Sequence, residues 1–255
     1  MKIAVITGAS SGLGSEFVRQ LANDQEIESF WVIARRRERL QALQEYTAKP
    51  VRPIPMDLTD ETAMEEFRAL LASQQPEIRM LVCAAGMGKI GDTVEISSQD
   101  NDRMIDLNCR GAVDVTTACF PYLSRGSRII EISSATAFSP MPGMNVYAAS
   151  KAFLQSYTKT LHHEFLTKGI HVTCVCPYWI KDTEFIGTAR KTSQKYYSHY
   201  PLASVSSSVV KQSLIASRMN LWVCTPGIVC TLDRFFGKYI PHFIYVPIMD
   251  LLKRL

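Results

Sequence analysis

At 255 residues, with 47% hydrophobic and 20% charged residues, the chain has the balance of a soluble globular protein with a sizeable core. A net charge of +4 is too mild to call for nucleic acid, and the one run of like charge is Arg35-Arg36-Arg37. Seven scattered cysteines form no disulfide framework and lack the partner spacing of a metal site, so buried thiols in a reducing cytoplasm are expected, without a metal.

Residues 1–7 are apolar but run straight into a glycine-rich turn, which is not the pattern of a secretory leader, and no apolar run reaches membrane-spanning length. Residues 3–6 are predicted as a buried strand, followed by a helix over 15–22 with Phe17, Val18, Leu21 and Ala22 at helical spacing. A strand over 30–34, a helix over 38–46 and a third strand over 51–56 come next, the last made edge-like by Pro53 and Pro55. A helix begins at Thr59, where Asp60 and Glu61 suit its positive N-terminal dipole. Residues 80–84 and 128–132 read as the fourth and fifth strands, and 100–123 between them contain a long helix. A helix over 151–166 and a sixth strand over 171–176 follow, then a helix over 209–219. Strands alternating with helices predict an α/β, doubly wound Rossmann fold, a mostly parallel sheet with helices on both faces. With no linker or repeat, residues 1–255 read as one domain, and 184–255 supply the substrate loop and C-terminal tail.

The first strand-turn-helix reads Thr7-Gly8-Ala9-Ser10-Ser11-Gly12-Leu13-Gly14. Glycines here let the backbone turn tightly and approach a pyrophosphate, while the helix N-terminus offers free N–H groups to it. Its place after an apolar strand gives the glycine pattern its weight. At the end of the second strand, NAD sites place an acidic residue for the ribose 2′-OH. Ala34-Arg35-Arg36-Arg37 stands there instead, and guanidinium groups suit a 2′-phosphate through charge-assisted hydrogen bonds. NADP(H) is therefore the expected cofactor, with Gly8, Ser10, Ser11, Gly12, Leu13, Gly14, Arg35 and Arg36 around its phosphates.

Tyr147 and Lys151 lie four apart, one turn along a helix face. A neighbouring ammonium stabilises phenolate, which brings a tyrosine towards working pH. The same lysine can bind the nicotinamide ribose. Ser134 stands at the end of the fifth strand, where ligands bind in parallel sheets and a hydroxyl can polarise a carbonyl oxygen. Asn108 is read either as a surface amide or as the residue at a helix kink, holding a water that links Lys151 to solvent.

In order and spacing, residues 2–183 resemble the short-chain dehydrogenase/reductase family. Its Thr-Gly-x-x-x-Gly-x-Gly pattern matches Thr7 to Gly14, its Asn-x-x-Gly element matches Asn108 to Gly111, and its Tyr-x-x-x-Lys matches Tyr147 and Lys151. The family's serine, thirteen residues before the tyrosine, falls on Ser134 rather than Ser133. The resemblance implies hydride transfer between nicotinamide and a carbonyl or alcohol carbon, with Tyr147, Lys151, Ser134 and Asn108 catalytic and Asp57 and Leu58 against the adenine. Where the family often has Asn-Asn-Ala-Gly, this chain reads Cys83-Ala84-Ala85-Gly86; Ala85 and Gly86 still permit approach to the adenosine ribose, but the amide tying neighbouring strands is lost. Where it often has Pro-Gly, Pro177-Tyr178-Trp179-Ile180 resembles the branch of 17β-hydroxysteroid dehydrogenases and 3-ketoacyl-CoA reductases. Pro177 and the backbone of Ile180 are then expected at the carboxamide, with Thr183 one residue later than the family's threonine.

Met141, Met144, Tyr178 and Trp179, with Ser134, are the expected substrate wall, and an apolar substrate follows. A steroid-like ketone or alcohol leads, a 3-oxoacyl compound is the alternative, and a catalytically silent NADP(H)-binding regulatory protein is the reading of a different class. The tail carries Phe235, Phe236, Tyr239, Phe243, Ile248, Leu251, Leu252 and Leu255 among Lys238, Lys253 and Arg254. It is expected to wrap the cleft or pack in a homodimer or homotetramer, ahead of contact with a membrane surface. Replacing Arg35 with Asp and Arg36 with Ala should reverse the preference for NADPH over NADH. Charge-assisted bonds worth about 1.5–3 kcal/mol set the loss of NADPH affinity at about tenfold or more, and an unchanged ratio of dissociation constants contradicts it.

Overall fold

Short apolar runs become strands here because both of their faces are covered. In the computed structural model, which describes residues 1–253, β1 (Lys2–Thr7), β2 (Ser29–Ala34), β3 (Val51–Pro55), β4 (Glu77–Cys83), β5 (Leu123–Ile132), β6 (His171–Val175) and β7 (Val223–Cys224) join one sheet. The order is β3-β2-β1-β4-β5-β6-β7 and every pairing is parallel. The order reverses between β1 and β4, which opens a crevice at the carboxyl ends of these strands. β3, with its two prolines, is at an edge, as its sequence predicts.

Strand alternation sends Ala4, Ile6, Val32, Val82 and Ile130 to one face, against Phe17, Val18 and Leu21 of α1 (Gly12–Leu21). α8 (Ser206–Arg218) adds Val209, Val210 and Leu214 to that layer. Ile3, Val5, Ile33, Leu81 and Ile129 face α3 (Glu61–Gln74), α5 (Ala112–Cys119) and α6 (Asn145–Leu166), which supply Phe67, Leu71, Val115, Leu161 and Phe165. Burying a large apolar side chain is worth about 1.5–3 kcal/mol, so these two layers hold the sheet.

Several boundaries differ from the sequence expectation. Asp60, not Thr59, caps α3, accepting from the N–H groups of Thr62 and Ala63 at 2.9 and 3.3 Å. α6 begins at Asn145 rather than at residue 151, so Tyr147 and Lys151 share one helix. Residues 38–46 form α2 (Arg37–Gln41) followed by a 3₁₀ segment (Ala42–Tyr46). The long helix expected within 100–123 is α4 (Ser98–Ile105), a π-helical turn (Asp106–Gly111) and α5, because a widened turn interrupts it. After α7 (Phe185–Ala189) and α8, the tail forms α9 (Ile228–Tyr239) and α10 (His242–Leu252), separated at Pro241. Arg254 and Leu255 lie outside the described residues. Among the described residues no helix is long and apolar enough to cross a membrane.

Candidate active site

A cleft of about 960 Å³ runs along the carboxyl ends of the strands. Of the residues expected at a site, Gly14 and Asn108 alone do not line it. Gly14 lies beneath the first turn and Asn108 behind the wall.

β1 ends at Thr7, whose Oγ1 accepts from Ala85 N at 3.1 Å, so a hydroxyl bridges β1 and the chain after β4 where the family's amide is missing. Gly8 follows with φ +65°, and a Cβ there would sit 2.7 Å from Ala85 N. A Cβ on Gly14 would lie 2.6 Å from the carbonyl carbon of Gly8, so only glycine lets α1 start this close to the strand. The wall beside β2 is basic. Arg36 donates from Nε and Nη2 to Ser10 Oγ at 3.2 and 3.1 Å and from Nη2 to Ser11 Oγ at 3.0 Å. Its Nη1 meets Glu184 at 2.9 Å, and Arg39 meets the other oxygen of Glu184 at 2.5 Å. Arg35 stands 3.7 Å from Asp57. Burial opposes ionisation of Asp57, but hydrogen bonds from Thr59 and the guanidiniums of Arg35 and Arg103 hold its carboxyl below the usual range. Two serine hydroxyls with clustered guanidiniums fit a 2′-phosphate, and the glycine turn opening α1 fits a pyrophosphate. Arg39 and Glu184 were not anticipated; Glu184 is 148 positions from Arg36, and nothing in its local sequence marks it.

At the other end, α6 lies against the end of β5. Lys151, buried, donates from Nζ to Ile132 O at 2.8 Å, and Ser133 donates its hydroxyl to Lys151 O at 2.7 Å. That use of Ser133 leaves Ser134 as the strand-end hydroxyl nearer Tyr147, where it also accepts from Thr136 N and Oγ1 at 3.2 and 3.1 Å. Asn108 is no surface amide: it is 1% exposed in the π turn, accepts from Met87 N at 2.9 Å, and donates to Met87 O at 2.8 Å and Ser150 Oγ at 3.0 Å. It thus ties the chain after β4 to α6. The expected lowering of the Tyr147 pKa is outweighed by burial. Burial pushes the phenol up to about 12, with the Ser134 hydroxyl offsetting part of the rise, and Lys151 Nζ lies 5.9 Å from the ring centre. Burial also brings Lys151 down to about 8, with Glu131 opposing.

Met141, Met144, Tyr178 and Trp179 line the same cleft as Tyr147, and the Phe185 ring centre is 5.4 Å from that of Tyr147. Leu232 and Phe236 of α9 and Met249 and Leu252 of α10 close the far side. Asp233, raised by burial, accepts from Tyr245 at 2.5 Å there. The tail stripe was legible as apolar; which of its residues face the cleft depends on how α9 and α10 fold back. Their outward side chains, among them Phe235, Tyr239 and Phe243, are exposed.

A crevice at the switch point with this basic corner defines a class, the dinucleotide-dependent oxidoreductases. Residues 2–194 match the family model for short chain dehydrogenases, and the chain belongs to that family. It is 33% identical over 188 residues to the NADP-dependent 3-hydroxy acid dehydrogenase of Salmonella typhi, covering 72% of this chain and 74% of that one. The solved short-chain dehydrogenase from Sphingobium yanoikuyae in complex with NADPH superposes with a TM-score of 0.79 at 25% identity, covering 93% of each chain. The bulky-bulky ketone specific alcohol dehydrogenase from Comamonas testosteroni gives 0.73 at 25% identity over 94% of this chain and 95% of that one. This protein is an NADP(H)-dependent oxidoreductase.

Gly14→Ala forces the turn open at a cost of about 1–3 kcal/mol. It should lower Tm by about 2 °C or more and weaken NADPH binding by fluorescence titration; unchanged binding contradicts this account of the turn.

Proposed function

We propose that the enzyme interconverts a hydrophobic ketone and a secondary alcohol, a steroid-like compound leading, with Tyr147 as acid/base. One observation carries this reading: the cleft wall over Ser134 and Tyr147 is built from Met141, Met144, Tyr178, Trp179 and Phe185, and closed by apolar residues of α9 and α10. Such a wall buries a bulky apolar body and leaves few polar groups to orient it. The likeness to a dehydrogenase of bulky ketones supports it.

When bound, NADP(H) supplies or accepts the hydride at nicotinamide C4. Ser134 Oγ holds the substrate oxygen, and Tyr147, protonated at neutral pH, gives it a proton as the carbonyl is reduced. Lys151, fixed on Ile132 O, keeps two further N–H donors for the nicotinamide ribose and the phenol oxygen. Asn108 holds the Met87 backbone and the start of α6 in register. Pro177 and Ile180, which line the cleft, would hold the carboxamide. Gly8, Ser10, Ser11, Gly12, Leu13, Arg35 and Arg36 would hold the phosphates, and Asp57, Leu58, Ala85, Gly86 and Thr183 the rest of the cofactor, all of them lining the cleft.

A 3-oxoacyl substrate, and with it the ketoacyl-CoA side of the proposed branch, is the second reading, favoured by the relative that acts on 3-hydroxy acids. Seven free cysteines support a reducing, cytoplasmic setting, and a homodimer or homotetramer is favoured over a membrane surface as cover for the exposed tail.

Tyr147→Phe should cut turnover, followed as absorbance at 340 nm with NADPH and a panel of hydrophobic ketones and 3-oxoacyl esters, by about 10²–10⁴-fold. NADPH binding survives the change. Retained turnover contradicts the assignment, and turnover confined to the 3-oxoacyl esters selects the second reading.

A further inference from the structure

We propose that Glu131 is the internal counter-charge of Lys151, a positioning residue that keeps the lysine charged and aligned beneath the site. The proposal deepens the role given to Lys151 above. Alternation along β5 turns Ile130 and Ile132 towards the α1 and α8 layer and Ile129 towards α5 and α6. Glu131 therefore faces the layer that contains Lys151, one residue before the carbonyl that Lys151 Nζ grips.

The side chain is fully buried. Oε1 accepts from Thr116 Oγ1 at 2.7 Å, and the Cys83 thiol lies 3.4 Å from the same hydroxyl. Among the described residues Oε2 is buried without a hydrogen-bond partner. Packing does not account for a carboxyl between isoleucines with one oxygen unpaired, since an apolar side chain avoids the desolvation cost. The groups that act on it from the surrounding elements are Cys83 of β4, Thr116 of α5 and Lys151 of α6. Cys119 of α5, Tyr157 of α6 and Cys174 of β6 feel its charge in turn. Among these the one cation is Lys151.

Among the described residues Lys151 Nζ donates to Ile132 O alone and meets no carboxylate. Its charge in a buried site needs an opposite charge through space. Burial pushes Glu131 up to about 7, against Thr116, Cys83 and Lys151, so both partners titrate near the working pH. The sign for stability follows. A carboxyl whose folded pKa rises from 4.5 to about 7 holds its proton more tightly when folded. That contribution is complete below 4.5 and is lost as pH rises through about 7.

Wild type, Glu131→Gln and Glu131→Asp are compared by NADPH fluorescence titration from acid to alkaline pH. Without the carboxylate, Lys151 gives up its proton sooner. The alkaline loss of NADPH affinity should move down by about half a pH unit or more in Glu131→Gln and return in Glu131→Asp. Tm of Glu131→Gln should also fall less than that of wild type between about pH 5 and 8, the window in which a raised carboxyl deprotonates. An unmoved alkaline midpoint, with or without a flattened Tm profile, overturns the proposal. Should Glu131→Gln not fold, the carboxyl ¹³C signal of Glu131 is titrated in wild type and in Lys151→Met. Its midpoint should rise once the ammonium is gone, and an unchanged midpoint overturns the pairing. None of these readings needs turnover, so they separate this proposal from the assignment of Tyr147.

Discussion

The bond from Lys151 Nζ to Ile132 O is the contact on which the chemical half of the cleft depends. It pins α6 to the end of β5 at the point where the strand stops and Ser133 and Ser134 begin. A buried lysine is costly unless its N–H groups are used and its charge is answered. The surroundings supply both: a carbonyl in contact, the Ser133 hydroxyl on the backbone of Lys151, and Glu131 in the same layer. With α6 held this way, the helix spacing of four places Tyr147 over the strand-end serine without any further device.

The cofactor half is built on a different constraint, closeness of backbone. β1, the turn after β4 and the start of α1 approach so nearly that side chains are excluded at Gly8 and Gly14, and Thr7 bridges them through its hydroxyl. The charged corner then sits at the end of β2, where Arg36 is already engaged with Ser10, Ser11 and Glu184. Asn108 joins the two halves, since its π turn reaches both Met87, after β4, and Ser150, on α6. On the proposed function, one sheet carries phosphate recognition at β1 and β2 and proton handling at β5 and α6, with the nicotinamide end between them.

Local rules made most of this legible. The apolar runs gave the strands, the glycine turn and arginines gave the cofactor corner, and Tyr147-x-x-x-Lys151 gave a helix face. What escaped the sequence depends on tertiary contact. The polar Asn108 inside a helical run allowed a kink or a surface amide, and only its buried contacts with Met87 and Ser150 choose the kink. β7 is two residues long and exists because β6 offers it an edge. Glu184 is distant in the chain from the arginines it meets, and Glu131 reads as an ordinary strand-end acid until its burial is seen. Spacing likewise gives Tyr147 its neighbour but not its burial, and burial raises the phenol.

On the proposed function, Lys151 supports proton transfer from Tyr147 through its charge and its hold on α6. The most direct measurement is turnover of Lys151→Met at saturating NADPH with a ketone that wild type reduces, followed across pH. A loss of about 10²-fold or more in kcat is expected, with no pH at which activity returns. Turnover equal to wild type at saturating NADPH would contradict it.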